Sequence, residues 1–401
     1  MEGNLSLDAE PSASVAPDPA ALARPPRALV IGGSLGGLFA ATALRAVGWN
    51  VEVFERSPSA LSSRGGGIVL QPEVIRAFAF AGVVPGGALG VRSHDRLYLD
   101  SRGTVRDRQH SPQTQTSWNT LYAALLRSFP AEHYHRGARL TGVGQDGFGV
   151  HATFADGRQA QGDLLVGADG AGSTVRSLVL PGISPTYAGY VVWRGLVEEE
   201  RLPDSARPLL YENFVFQHEP GSMMLQYMVP GVDGSTEPGH RRFNWLWYLK
   251  AEPGTKLEQV LTDRNGTLRN QSVPPGSLGP GQERWIRRMG AAHANPAFQA
   301  LIENTTEIFV QKIQDLQVPG MRFGRVVLTG DAAFVPRPHT AGSTAKAAGD
   351  AVALALAVAQ ARGQDLDAAL SAWQQDRLAE GARMTAWGIG MGNRIMGIAH
   401  A

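Results

Sequence analysis

Three runs built around glycine and aspartate hold most of the chemistry this sequence can perform. The first, Gly32-Gly33-Ser34-Leu35-Gly36-Gly37, lies between two apolar runs, Ala28–Ile31 and Leu38–Arg45. Glycines in such a turn let backbone N–H groups close on a pyrophosphate, whose charge then sits at a helix N-terminus. Glu55 follows 23 residues after Gly32, ending the run Val51–Glu55, where a carboxylate can accept hydrogen bonds from ribose hydroxyls. Ser34 replaces the middle glycine of the usual pattern; it is small, and its hydroxyl can donate to phosphate. Gly32, Ser34, Leu35, Gly36, Glu55 and the adjacent Arg56 are therefore the first candidate contacts for a dinucleotide.

The second run is Asp163-Leu-Leu-Val-Gly167-Ala-Asp169-Gly170-Ala-Gly172, continuing to Arg176. The third is Gly324-Arg-Val-Val-Leu-Thr-Gly330-Asp331-Ala-Ala333, followed by Pro336-Arg-Pro338 and Ala341-Gly342-Ser343. Each is an apolar strand closing on Gly and Asp, and open α/β sheets place ligands at the carboxyl ends of their strands. A plain strand-to-turn junction explains either one alone. It does not explain three in this order.

Composition narrows the chemistry further. The 401 residues are 43% hydrophobic and 18% charged, an ordinary globular balance with room for two joined domains. Lys and Arg total 37 against 36 acids, a formal charge of +1, which argues against a dedicated nucleic-acid binder. Without cysteine, disulfides, thiolate catalysis and cysteine-held metals are excluded, so redox chemistry must come from a bound cofactor. No pair among the ten histidines has helical ligand spacing beside a glutamate, so no metal is expected. His133 and His135 flank Tyr134 on one strand face and read as solvated surface residues. No G-x-S-x-G elbow is present, which argues against a hydrolase.

The longest uncharged run near the start, 28–44, is 17 residues with four glycines, short of the ~20 a membrane helix needs. No membrane association is expected. Residues 1–26, rich in Ala, Pro and Ser, lack the basic start and apolar centre of a signal peptide and read as a disordered tail on a cytoplasmic protein.

The elements that must position these motifs read as strand, turn, helix, strand over 27–56, with α/β texture again at 120–180 and 325–362. A helix is expected around Leu121–Phe129, a hairpin near Gly147–Asp163 and a buried strand at Leu164–Gly167. Between 184 and 250 come strand-like runs separated by Pro-Gly and Pro-Asp turns: Thr186–Val197, Leu209–Gln217, Met223–Val229 and Arg242–Lys250. Residues 251–320 look mainly helical and loop-like. A strand at Arg325–Thr329 and helices at Ala347–Ala361 and Leu366–Arg383 complete the chain. The fold class is α/β: a discontinuous Rossmann-like domain, 27–183 and 321–401, with a β-rich substrate domain inserted at 184–320.

The three motifs together resemble those of the single-component FAD-dependent aromatic hydroxylases with the para-hydroxybenzoate hydroxylase fold, over roughly 27–385. Thr186-Tyr-Ala-Gly-Tyr-Val-Val-Trp-Arg-Gly195 and Pro336-Arg-Pro-His-Thr-Ala-Gly342 resemble a branch acting on hydroxypyridines. The resemblance implies that the first motif and Glu55 hold the ADP half of FAD. Asp169 and Gly170 would lie near the pyrophosphate and the nicotinamide donor, while Gly330 and Asp331 meet the ribityl chain. Pro336 to Gly342 would cover the flavin ring, and Arg64, before Gly65-Gly66-Gly67, would contact the cofactor. Two positions depart from the family: Trp118 stands where many relatives have arginine, and Phe334 where many have histidine.

The implied reaction uses NAD(P)H and O2 to hydroxylate an electron-rich (hydroxy)pyridine or phenolic ring through a flavin C4a-hydroperoxide. The protein supplies position, a dry pocket and substrate deprotonation. His218, Tyr227 and His339 are the candidate bases; each also has an ordinary structural reading, as a turn, core or loop-packing residue. The other expected partners are a small aromatic substrate and O2, with a homodimer left open. A flavin halogenase competes because Trp245-Leu246-Trp247 resembles its tryptophan pair. Such enzymes need an early lysine, and the four here are Lys250, Lys256, Lys312 and Lys346. An FAD oxidoreductase without oxygen insertion and a non-catalytic flavoprotein are the remaining alternatives.

Overall fold

A computed structural model describes residues 24–61, 66–147, 149–361 and 365–399. The first 23 residues of the expected tail and the candidate Arg64 lie outside the described residues.

Ala28, Leu29 and Val30 are wholly buried, which suits a run with no polar face. Their strand, Arg27–Ile31, pairs in parallel with Asn50–Glu55 and with Leu164–Gly167, and the latter pairs with Val326–Leu328. Tyr134–Arg136 and Arg322–Phe323 complete a six-stranded sheet. In its register Ile31 lies beside both Phe54 and Gly167, and Gly167 lies beside Leu328. All three motifs therefore leave the sheet at one edge. Backbone bonds extend the alignment: Gly32 N–H donates to Phe54 O (2.9 Å), Ala168 N–H to Ile31 O (2.8 Å) and Thr329 N–H to Gly167 O (2.9 Å). Helices Leu35–Ala46 and Ser343–Gln360, which follow the first and third motifs, pack on each other.

The second sheet has ten strands. Its order is Ser272–Val273, Phe309–Gln317, Thr186–Glu198, Arg242–Lys250, Ser222–Val229, Asn213–Glu219, Val91–Leu99, Val105–Ser117 and Gly67–Val69, with Phe334–Val335 pairing onto 309–317. Strands 67–69, 91–99 and 105–117 thus join this sheet from outside 184–320. Alternation along each strand sorts side chains by face. Trp193, Met224, Phe243, Trp245 and Trp247 pack with Ile286 and Phe298 from helices Pro280–His293 and Pro296–Glu303. Tyr190, Val192, Leu225, Tyr227, Leu246 and Tyr248 form a separate cluster on the other face. Trp245 and Trp247 are core: their indole N–H groups donate to Thr305 Oγ1 (2.7 Å) and Ser222 Oγ (2.8 Å).

Several expectations are corrected. The run 209–217 begins with a short helix, Arg207–Leu210, and the chain passes through Glu212 at φ 51° before strand 213–219 starts. The strand 309–317 lies inside a stretch read as helix and loop. Its amides and charges, Gln311, Lys312, Gln314 and Asp315, hide the alternation, and pairing with 186–198 decides its form. The last helix, Leu366–Met396, runs 31 residues, past Arg383. His133 and His135 are not free surface residues, because both bond Glu52, at 3.1 and 2.5 Å. Among the described residues no helix is long and apolar enough to cross a membrane.

A Cβ on Gly37 would collide with the Gly32 carbonyl and press on Val30 Cγ1 at 3.3 Å. Gly→Ala inside a helix ordinarily stabilises by about 1 kcal/mol. Here overpacking reverses the sign, and Gly37→Ala should destabilise the ligand-free protein by about 1–3 kcal/mol. Urea unfolding followed by tryptophan fluorescence measures this; an unchanged or raised midpoint would show a loose turn.

Candidate active site

At the edge where the motifs meet, Glu55 is buried and its carboxylate is already oriented. Its Oε2 accepts the Gly33 N–H and its Oε1 the Ser57 N–H, both at 2.8 Å. Tyr134 O–H donates to the Gly33 carbonyl at 2.9 Å, fixing the turn from the other side. Ser34, the N-cap of helix 35–46, makes no side-chain cap bond, and the first turn carries no acid. The same holds for Gly342 at the head of helix 343–360. Helices Trp118–Ser128, Thr174–Val179, 296–303 and 366–396 are instead capped by Ser117, Ser173, Asn295 and Asp365. Two helix N-termini thus keep their first N–H groups for an anion. The surroundings leave room for one. Gly36 meets nothing nearer than Ala347 Cβ at 3.9 Å, and Gly170, at φ +80°, has nothing within 4 Å of its Cβ position. A pyrophosphate between the Glu55 carboxylate and the uncapped helix ends fits this edge.

Asp169 is used differently. Its carboxylate accepts Ser173 Oγ–H (2.5 Å) and the N–H groups of Thr174 (2.6 Å) and Val175 (3.1 Å), so it braces the start of helix 174–179. Arg176 then donates to Ala171 O (2.6 Å) and Ala332 O (2.9 Å), tying the second motif to the third. In the third motif Gly330 N–H donates to Asp350 Oδ2 (3.2 Å), which also pairs with Lys346 at 2.5 Å; both side chains are buried. Asp331 is open to solvent yet closely ringed by protein. That crowding raises its carboxyl to about 6, against the pull of Lys346. Phe334 is wholly buried, with Lys346 Nζ 4.9 Å from its ring centroid, so it is core. Trp118 stacks on Tyr122 at 4.5 Å and donates its backbone N–H to Gly66 O at 3.2 Å.

The face of the large sheet that carries Tyr190, Tyr227 and Tyr248, hereafter the cleft side, is largely aromatic. Phe214 stacks on Phe216 (4.5 Å) and meets Tyr227 edge-on (4.9 Å), while Tyr98 stacks on Phe216 at 5.1 Å. His218 is an exposed strand residue at the end of this row, 6.0 Å from the Tyr98 and Phe216 rings. Tyr227 is buried, and burial pushes its phenol up to about 12 despite the charge of Arg194. The Gly67 N–H donates to Asn244 Oδ1 (3.0 Å), docking strand 67–69 onto the same face.

The loop after Asp331 folds back onto this aromatic face. Pro338–Thr340 is a single 3₁₀ turn, and Ala341 sits at φ 51° before helix 343–360 begins. Arg337 locks the loop: it grips both oxygens of Asp315 (2.8 and 2.7 Å) and donates to Asn393 Oδ1 (2.8 Å). His339 Nε2 lies 2.9 Å from Tyr190 Oη, and its ring packs 4.5 Å from Tyr248. Its Nδ1 is buried without a partner. Burial, with the nearby charges of Arg337 and His218, lowers this imidazole to about 4. Tyr190, Arg194, Asn244, Tyr248 and Arg337 were not singled out from sequence. Tyr190, Arg194 and Arg337 lay inside the runs 186–195 and 336–342 that carry the family resemblance, while Asn244 and Tyr248 had only the two-residue period of a strand whose inner face was still unknown.

Three glycine-edged strand ends and a pair of uncapped helix starts, beside a separate sheet, suit a dinucleotide cofactor of the FAD kind. The family described as FAD binding domain-like matches residues 187–315. The chain is 36% identical over 356 residues to 2,6-dihydroxypyridine 3-monooxygenase of Paenarthrobacter nicotinovorans, covering 88% of each. It is 28% identical to 6-hydroxynicotinate 3-monooxygenase of Bordetella bronchiseptica, over 90% of this chain and 89% of that one. The solved structure of 2,6-dihydroxypyridine-3-hydroxylase from Arthrobacter nicotinovorans superposes with a TM-score of 0.87 at 34% identity, covering 93% of each chain. A Klebsiella pneumoniae protein crystallised with FAD and uric acid shares the fold, with a TM-score of 0.76 over 93% of this chain and 89% of that one, at 24% identity. The chain belongs to the FAD-dependent aromatic hydroxylases and takes FAD as cofactor.

Because the folded imidazole of His339 binds its proton less tightly than the ordinary value of 6.5, the unfolded state takes up the extra proton between about pH 6.5 and 4. Stability contributed by neutral His339 is present above that window and is lost as pH falls through it. His339→Asn should flatten the acid limb of a plot of melting temperature against pH. An unchanged limb would mean that the ring is not held neutral.

Proposed function

We propose that this enzyme hydroxylates an electron-rich (hydroxy)pyridine or phenolic ring with NAD(P)H and O2. The observation that carries the reading is the aromatic face of the large sheet, which meets strand 67–69 and the loop that follows the third glycine motif. A flat ring gains apolar and stacking contact there, and the few polar groups present orient it. When bound, FAD supplies the electron transfer from NAD(P)H and the activation of O2.

In this reading the N–H groups of Ser34, Leu35 and Gly36, beside Gly32, meet the pyrophosphate, and Glu55 with Arg56 meets the adenosine ribose. Gly330 and Asp331 meet the ribityl chain, and Pro336 to Gly342 border the flavin ring. Gly170 leaves space on the pyrophosphate side. Asp169 acts as the brace of its own turn. His339, His218 and Tyr227 are the candidate bases, and of the three His339 is the one tied to the loop that follows the third motif. Its Nε2 meets Tyr190 Oη, and an imidazole drawn down to about 4 stays neutral at working pH, which suits orienting the substrate through Tyr190 and makes it a weak proton acceptor. Tyr227, with a phenol near 12, stays protonated at neutral pH and suits a hydrogen-bonding role. His218 is exposed at the rim. The loop locked by Arg337 keeps water from the reacting face. Lys346 is closed in an ion pair with Asp350, which gives no support to halogen transfer.

Glu55→Ala should weaken FAD binding by about 1–3 kcal/mol, since a charged acceptor is lost and the Gly33 N–H is left unpaired. Titration of the FAD-free protein by flavin fluorescence measures this, and unchanged affinity would make Glu55 a brace for its turn only. Labelled O2 should deliver one labelled oxygen to the product. In Pro336→Gly the label should shift toward peroxide while NAD(P)H consumption continues. Label found only in peroxide or water for the unaltered enzyme would establish an oxidase and end the hydroxylase reading.

A further inference from the structure

Arg194 is a charged group in the cleft without a role in the scheme above. It stands on the cleft-facing side of strand 186–198, next to Leu246, which is itself next to Leu225 in the adjoining strand. Its NH1 donates to Gln311 Oε1 at 3.1 Å, and its Nε is buried with no hydrogen bond. Among the described residues it has no carboxylate within ion-pair distance. Three buried cations have one: Arg337 pairs with Asp315 (2.7 Å), Lys346 with Asp350 (2.5 Å) and Arg241 with Glu199 (3.0 Å). Two more, Arg176 and Arg242, each make several hydrogen bonds to backbone carbonyls instead, whereas half-buried Arg194 has the Gln311 amide alone. The residues just before Gly66, Ser62-Ser63-Arg64-Gly65, include no acid.

The guanidinium lies against Gly66, at a place where any Cβ on that residue would strike it, and 5.7 Å from the Phe309 ring centroid. Its charge reaches the phenols of Tyr227 and Tyr248, drawing both down against the larger upward push of burial. Asn244, wholly buried on the same face, accepts the Gly67 N–H at Oδ1 and turns its amide toward the Tyr227 phenol, which it helps to draw down. A half-buried cation with one neutral amide partner and an unbonded Nε, among aromatic and aliphatic side chains, is costly unless an anion joins it.

We infer that Arg194 is the specificity-determining residue of this cleft and that it binds the negative oxygen of an ionised aromatic substrate. The preferred substrate is therefore a planar ring carrying a ring oxyanion or a ring carboxylate, and a neutral ring of the same size binds poorly. This rests on the aromatic-hydroxylase reading. An anionic ring oxygen also pushes electron density into the ring, so the group that selects the substrate selects its reactive form.

The test uses the FAD-loaded enzyme without NAD(P)H, followed by the change in flavin absorbance as ring compounds are added at pH 8. The probes are 2,6-dihydroxypyridine for a ring oxyanion, nicotinate for a ring carboxylate and 2,6-dimethoxypyridine as a neutral ring. The unaltered enzyme should bind one anionic probe at least tenfold more tightly than the neutral one, and which probe it is identifies the oxygen. Arg194→Gln should weaken that probe about 10- to 100-fold, the range expected for a lost charge-assisted hydrogen bond. Its affinity for the neutral ring should change less than threefold, and Arg194→Lys should recover part of the loss. FAD content and melting temperature are recorded for each variant. Equal weakening of all probes, loss of FAD from both variants, or a preference for the neutral ring in the unaltered enzyme overturns the inference and leaves the hydroxylase reading standing. If no ring perturbs the flavin of the unaltered enzyme, both fall.

Discussion

The register of three parallel strands is the constraint on which the rest of this molecule depends. Ile31 is held beside Phe54 and Gly167, and Gly167 beside Leu328, so three glycine-bearing turns end at one level. A slip of one residue would move a turn by about 3.3 Å and put its side chains on the wrong face of the sheet. The apolar side chains make such a slip costly, since Ala28, Leu29, Val30, Leu164, Leu165, Val166, Val326, Val327 and Leu328 are all wholly buried. The chemistry at the edge is thus positioned by burial within the sheet.

Buried charge is used around the site to fix geometry between elements distant in the chain. Lys346 and Asp350 lie on one helix, yet Asp350 also accepts the Gly330 N–H, so the pair sets the height of the third motif. Arg337 grips Asp315 in the large sheet and Asn393 in the final helix, binding the loop beside the site to both. Buried pairs of this kind add little net stability, but losing one partner leaves an uncompensated charge and costs about 3–5 kcal/mol. They therefore make the observed arrangement much better than near alternatives. Arg194, half-buried and unpaired, contrasts with them and marks where a ligand's charge is wanted.

The large sheet separates structure from recognition by its two faces. Tryptophans 193, 245 and 247 fill the core against helices 280–293 and 296–303, while tyrosines and phenylalanines on alternate residues look into the cleft. One strand can therefore hold both a core anchor and a cleft residue side by side, as Trp193 and Arg194 do. The cleft is also built from parts remote in sequence: Gly66 and Gly67 are brought against Arg194 and Asn244 by the strand 67–69.

By itself the sequence determined the class of fold, the three motifs, their order and the cofactor they suit, because those features are local. A glycine turn, an apolar four-residue strand and a carboxylate at a strand end carry their meaning within a few residues. Which way a side chain points, and what it meets, is not local. Asp169 looks like a ligand-facing acid beside Gly170, and only the fold shows it turned onto Ser173, Thr174 and Val175. His133 and His135 look solvated until Glu52 is placed between them. Strand 309–317 has no clean alternation to announce it, and pairing with 186–198 makes it a strand. His339 and Tyr190 are 149 residues apart, and their contact exists only because the loop after Asp331 folds back on the sheet. The tertiary structure decided these matters because burial and charge compensation are properties of surroundings, and the surroundings of each residue come from the rest of the chain.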